Sequence, residues 1–189
     1  MHVFEERYRA LVRDALEGPR LVGMVLLRAG WEETYYGSPP VYAVGTAGEI
    51  VRADPLDDGR WNIVLRGERE FVIDSEIVPE GAYRIANVRW ADPPAEPVTR
   101  EIGMTIWALA RDLLARLGSG GSLPAEPDPS TDSRLLVNLL SQQLPLPVVE
   151  RQAVLEAADG APRAQRLITV LELQIEGQRG GGSGPSALQ

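Results

Sequence analysis

Asp57-Asp58-Gly59-Arg60-Trp61-Asn62-Ile63-Val64-Leu65-Arg66 reads as a tight turn that feeds a strand. Gly59 supplies the positive φ that such a turn requires, and Asp before Gly bonds to its own backbone there. Trp61 to Arg66 then carries the aromatic and branched residues that suit a pleated surface. Before this turn, Val41 to Thr46 and Glu49 to Arg52 read as strands, with Gly45 and Gly48 marking bends or bulges. After it come Glu70 to Ile77 and Tyr83 to Trp90, with Gly67-Glu68-Arg69 as a short polar turn between strands. Farther upstream, Leu21 to Leu27 is a continuous apolar run, too short for most helices and better read as a buried strand. Five or so short strands at this spacing predict a small curled sheet or barrel.

The pattern is helical on both sides of that region. Phe4, Tyr8, Leu11, Val12, Ala15 and Leu16 draw one apolar stripe at a 3.6-residue period, which places Tyr8 and Leu11 in the core. Gly18-Pro19 ends this helix, with Gly suited to the left-handed position and Pro unable to continue it. Ala91-Asp92-Pro93-Pro94-Ala95-Glu96-Pro97 breaks the strand pattern, and a helix follows from about Thr99 to Leu117. Gly118 to Pro129 is a Gly/Ser/Pro linker. Three shorter helices come next, at about Thr131 to Gln143, Pro147 to Ala158 and Pro162 to Glu176, with N-caps available at Ser130, Thr131 and Asp132. Their apolar faces must meet in one bundle. The fold class is therefore α+β: a β-rich subdomain over residues 1–90, a helical bundle over 97–176, and a tail over 177–189 too poor in apolar residues to fold.

Composition removes whole classes of chemistry. All 19 basic residues are Arg, so the G-x-x-x-x-G-K-[ST] phosphate loop is excluded, as is any nucleophile activated by Lys. Gly-Ser-Gly-Gly-Ser at 118–122 is accordingly a linker, not a phosphate cradle. The chain has no Cys, which removes disulfides and thiolate zinc sites and is compatible with a reducing cytoplasm. Its one His, His2, stands beside the terminus with no ligand constellation. A net charge of −8 with scattered Arg disfavours nucleic acid. No apolar run reaches the roughly 18 residues that span a bilayer. Arg without Lys, with abundant Ala, Gly and Pro, points to a GC-rich, bacterial coding sequence. These features predict a non-enzyme with no cofactor, no metal and no membrane partner.

A set of motifs in fixed order goes further. His2-Val3-Phe4-Glu5-Glu6-Arg7-Tyr8-Arg9, Val44-Gly45-Thr46, Asp58-Gly59-Arg60 and Gly67-Glu68-Arg69-Glu70-Phe71 are followed by Asn138-Leu139-Leu140-Ser141, Leu144-Pro145 and Arg151-Gln152-Ala153-Val154-Leu155-Glu156. From residue 2 to about 176 this resembles the amino-terminal, substrate-binding domain of the Lon protease family, here as a stand-alone chain without ATPase or peptidase domains. The resemblance implies a small PUA-like pseudo-barrel of about five to six strands with one helix, then the bundle. It also implies non-catalytic recognition of unfolded or damaged polypeptide, in cytoplasmic protein quality control. A small-molecule or RNA-binding PUA-like barrel is the alternative. Lon-type domains carry a first strand and a Pro-rich turn ahead of the His2 helix; without them an edge is left unpaired, through which copies would associate.

The candidate polypeptide-binding residues are Trp31, Tyr35 and Tyr36. They lie between Arg28 and Pro40 among polar residues and prolines, outside any periodic element. Aromatic rings on a loop are common partner anchors, and capping the open end of the barrel is the alternative role. Asp57 and Asp58 are explained by their turn and predict no catalysis.

Overall fold

The computed structural model describes residues 1–77, 81–91, 97–118, 127–128 and 130–180. Strand β1 (His2–Val3) precedes helix α1 (Glu6–Glu17), and β2 (Leu21–Met24), β3 (Val44–Pro55), β4 (Trp61–Ile77) and β5 (Ile85–Trp90) follow. Helices α2 (Arg100–Leu117), α3 (Ser133–Gln143), α4 (Val148–Glu156) and α5 (Ala161–Gly180) complete the chain. The protein is α+β, with a five-stranded antiparallel sheet and five α-helices among the described residues. It divides into two compact units, Met1–Asp92 and Pro93–Gln189.

The sheet is built around β4, which pairs with β3 along most of its length, from Pro55↔Trp61 to Val44↔Val72. On its other edge β4 meets β1 at Trp61 and Asn62, and β5 from Phe71 to Ile77. Between those partners, Val64 to Arg69 has no strand on that second edge among the described residues. Two expected pairs of short strands are thus two long strands. Val44–Thr46 of the first expected strand and Glu49–Arg52 merge into β3, and Gly67-Glu68-Arg69 lies inside β4, where a turn was expected. The ladder bends without breaking: the register shifts between Ala47 and Gly48, where Gly48 faces Gly67, and again between Ile50 and Arg52, away from any glycine. Gly45 permits a close approach instead, because a Cβ there would lie 2.5 Å from the Met24 carbonyl oxygen and 2.8 Å from the Phe71 ring.

The Asp57-Asp58-Gly59 turn is as read. Gly59 has φ 80°, and the Leu56 N–H donates to the Arg60 carbonyl. The end of α1 differs. Gly18 is not left-handed (φ −115°); Arg20 takes that conformation instead, at φ 63°. A side chain there is costly by itself, but Arg20 is held from both sides: its Nε donates to the Ile50 carbonyl at 2.9 Å and its own carbonyl accepts from the Ile50 N–H at 2.8 Å. Leu21–Leu27 is also not a buried strand. Only Leu21–Met24 forms a strand, with a single bridge from Leu27 to Val41 beyond it, and of these seven residues only Val22 is buried.

The core of the sheet unit is Val3, Val12, Val22, Ile50 and Ile63, flanked by Leu11, Ala15, Leu16 and Leu65. The helical unit has a larger core, drawn from Ile106, Leu113, Leu140, Val154, Leu167, Leu171 and their neighbours on all four helices. Thr99 caps α2 and Asp132 caps α3, each side chain accepting a backbone N–H of the first turn. Gly118, left-handed at φ 59°, ends α2. Arg163, 3% exposed, donates to the carbonyls of Leu155 and Ala157 at the end of α4 and pairs with Asp159. Helix α5 continues to Gly180, taking in the first four residues of the expected tail, and 181–189 lie outside the described residues. Most of the expected 118–129 linker lies outside them too.

Candidate functional site

The loop from Arg28 to Pro40 is closed at its base by the chain on either side. Tyr42 N–H donates to Leu26, Arg28 N–H to Pro40, and Leu27 bridges Val41. Arg84 Nη1 adds a 2.7 Å bond to the Pro39 carbonyl. Within the loop, Glu32–Thr34 form a single 3-10 turn, after which Gly37 N–H donates to Thr34.

The three aromatic residues of this loop occupy different environments. Tyr36 is 93% exposed. Trp31 and Tyr35 are half-buried. The rings of Trp31 and Tyr36 both stand edge-on to Tyr35, with centroids at 5.3 and 5.2 Å. Tyr35 also faces α1. Its hydroxyl donates to Glu5 Oε1 at 2.5 Å, and its face lies 4.6 Å from the Arg7 guanidinium carbon. The same guanidinium carbon lies 4.7 Å from the centre of the Tyr8 ring. Arg7 further donates from Nε to Glu5 Oε2 and from Nη1 to the Tyr35 carbonyl, each at 3.0 Å. The bond to the Glu5 carboxylate, followed by burial, raises the Tyr35 phenol above its ordinary pKa.

The ladder Tyr8, Arg7, Tyr35, Tyr36 with Trp31 alongside extends the candidate surface onto α1. Tyr8 was expected in the core with Leu11, but it is 41% exposed, and Phe4, on the same apolar stripe, is 62% exposed. The reason is packing. Helix α1 seats Val12 in the core with Leu11, Ala15 and Leu16 against it, and Phe4, which precedes the helix, instead stacks on His2 at 6.3 Å. The clue available in the sequence was Arg7 beside Tyr8, but nothing there linked them to a residue 28 positions away.

The other candidates have local explanations. His2 Nδ1 lies 2.8 Å from Asn62 Oδ1, and Nε2 lies 3.2 Å from an Arg60 nitrogen. Asp58 accepts from the side chain and backbone N–H of Arg60, which holds its carboxyl well below the usual range, at about 2. Arg66 pairs across the β3–β4 ladder with Glu49 and along the strand with Glu68. No group of three or more His, Cys, Asp or Glu residues suited to a metal comes together among the described residues, and none of their helices is long and apolar enough to cross a membrane.

An antiparallel sheet exposing a loop-borne aromatic ladder, followed by a helical unit, has the makings of a recognition module. The family model for the ATP-dependent protease La (LON) substrate-binding domain matches residues 1–172, and the chain belongs to that family. It is 26% identical over 174 residues to Lon protease 2 of Myxococcus xanthus, covering 88% of this chain and 20% of that protein. It is 27% identical over 184 residues to Lon protease 2 of Herpetosiphon aurantiacus, covering 93% and 22%. The chain thus spans about a fifth of the length of the curated relatives it matches. Among solved structures it resembles the Lon N-terminal domain protein from Xanthomonas campestris, with TM-score 0.64, 26% identity, and coverage of 89% of this chain and 86% of that one. The N-terminal domain of Mycobacterium avium complex Lon protease, 18% identical with TM-score 0.53 and coverage of 91% and 90%, shares the fold.

Proposed function

We propose that this protein recognises polypeptide without catalysis, binding unfolded or damaged chains as a Lon-type substrate-binding domain in cytoplasmic quality control. The observation that carries the reading is the exposure of Phe4, Tyr8 and Tyr36, with half-buried Trp31 close to Tyr36 through Tyr35, because large rings left in water mark an interaction site. A second support is the stretch Val64 to Arg69 of β4, which has no strand on its outer edge among the described residues; main-chain groups there suit an extended segment, a sequence-tolerant mode of capture. Glu32 and Glu33, exposed beside the rings, favour segments that combine apolar and basic residues. The net charge of −8 opposes RNA. The absence of any Lys leaves neither a phosphate-loop lysine nor a Lys-activated nucleophile.

Binding of fluorescent β-casein tests the reading. Tyr36→Ala and Phe4→Ala should each weaken it by about tenfold, or about 1.4 kcal/mol, while neither ATP hydrolysis nor casein cleavage is detected. Parent-like binding by both variants would exclude this surface. Pairing of two copies along the β4 edge is the competing use of that edge, and a concentration-dependent rise in mass by light scattering reports it.

A further inference from the structure

We infer that Glu5 and Arg7 are positioning residues that clasp the aromatic loop onto the start of α1 and thereby set where Trp31 and Tyr36 are presented. The inference rests on the reading of those rings as a polypeptide-contact surface. Glu5 holds the N-cap position by its extended backbone, and its carbonyl accepts from the Tyr8 and Arg9 N–H groups, yet its carboxylate caps no helix N–H. That carboxylate is turned away to the Tyr35 hydroxyl and to Arg7. A helix-capping bond is forgone where Ser, Thr, Asp or Asn would have made one, and a bond to the loop takes its place.

Arg7 uses properties that no other side chain combines. Its guanidinium lies over two tyrosine rings while its N–H groups donate to the Glu5 carboxylate and to the Tyr35 carbonyl. Tyr35 is the hub: clasped by Glu5 and Arg7, it offers its own ring to Trp31 and Tyr36. Among the described residues, 31 to 37 otherwise show only the local bonds of one short turn, so the clasp is the tertiary hydrogen-bonded contact that orders them. Its bonds join a charged acceptor to a hydroxyl and a guanidinium, the stronger kind of hydrogen bond. Without it the rings would occupy their binding arrangement for only a fraction of the time, and apparent affinity would fall by that fraction.

The test measures β-casein binding, thermal unfolding and amide exchange at Gly37 in Tyr36→Ala, Tyr35→Phe, Arg7→Gln and Arg7→Lys. Tyr35→Phe keeps the ring and its stacking but removes the hydroxyl. Arg7→Lys keeps the charge but loses the planar fork. The expected result is that Tyr35→Phe, Arg7→Gln and Arg7→Lys all weaken binding by about three- to tenfold and speed exchange at Gly37, with an unchanged unfolding midpoint. Tyr36→Ala, in contrast, should weaken binding without changing that exchange. If Tyr36→Ala weakens binding and the three clasp variants bind like the parent, the clasp positions nothing and the surface reading survives. A loss of binding that tracks a lowered unfolding midpoint would reduce the clasp to a stabilising contact. Parent-like binding in Tyr36→Ala overturns the surface reading and the inference with it.

Discussion

The two units put their apolar residues to different uses. The helical unit gathers Leu113, Leu136, Leu140, Leu144, Leu146, Leu167 and Leu171 into one core, although Leu135 and Leu173 stay exposed. The sheet unit has a small core of aliphatic residues and leaves Phe4, Tyr8, Tyr36, Val64, Val88 and Trp90 largely open to water. Burial is the main source of folding free energy, so the helical unit is organised for stability. The sheet unit keeps large apolar side chains on its surface, where they stabilise little but can meet a partner. A stable unit beside one with unsatisfied apolar surface is the division of labour expected of a recognition module.

Substitutions that act on one unit and not the other can break or sharpen this contrast. The largest effect is expected for Leu167→Ala, which empties a fully buried site in the helical core; the cost should be about 4 kcal/mol. Urea melts followed by amide exchange should place the loss in α2–α5. Next is Gly45→Ala in β3. Its new methyl would meet the Met24 carbonyl, Val25 and the Phe71 ring, and overpacking of this kind costs about 2 kcal/mol. That loss should appear in β2, β3 and β4 alone. Tyr36→Ala should change stability by less than about 0.5 kcal/mol, since its ring contributes almost nothing to burial. A larger drop would mean that the exposed rings are structural after all.

The smallest effect concerns acid. The Asp58 carboxyl has its pKa lowered from 3.8 to about 2 by the Arg60 side chain and backbone N–H. A lowered native pKa contributes stability that is fully present above the unfolded value and is lost as pH falls through the native one. The contribution of the Asp57-Asp58-Gly59 turn should therefore hold above about pH 4 and fade toward pH 2. Asp58→Asn should flatten the acid dependence of the sheet unit in that window and leave the helical unit unaffected, as read by residue-resolved exchange.

Much of this was legible in the sequence because the signals were local. The 3.6-residue periods of the helices, the cap at Asp132 and the Gly59 turn all depend on neighbours within a few positions. Composition was equally decisive, since a chain without Lys or Cys loses several chemistries however it folds. The tertiary structure decided whatever depended on distant partners. Gly67 sits inside β4 because β3 holds both sides of it in one ladder. Arg20 tolerates a left-handed backbone because Ile50 grips it. Tyr8 lies at the surface because α1 packs through Val12 and its neighbours, a choice that an apolar stripe alone does not make. Tyr35 belongs with Glu5 and Arg7 only once the chain has folded back across some 30 residues to bring a hydroxyl, a carboxylate and a guanidinium within bonding distance.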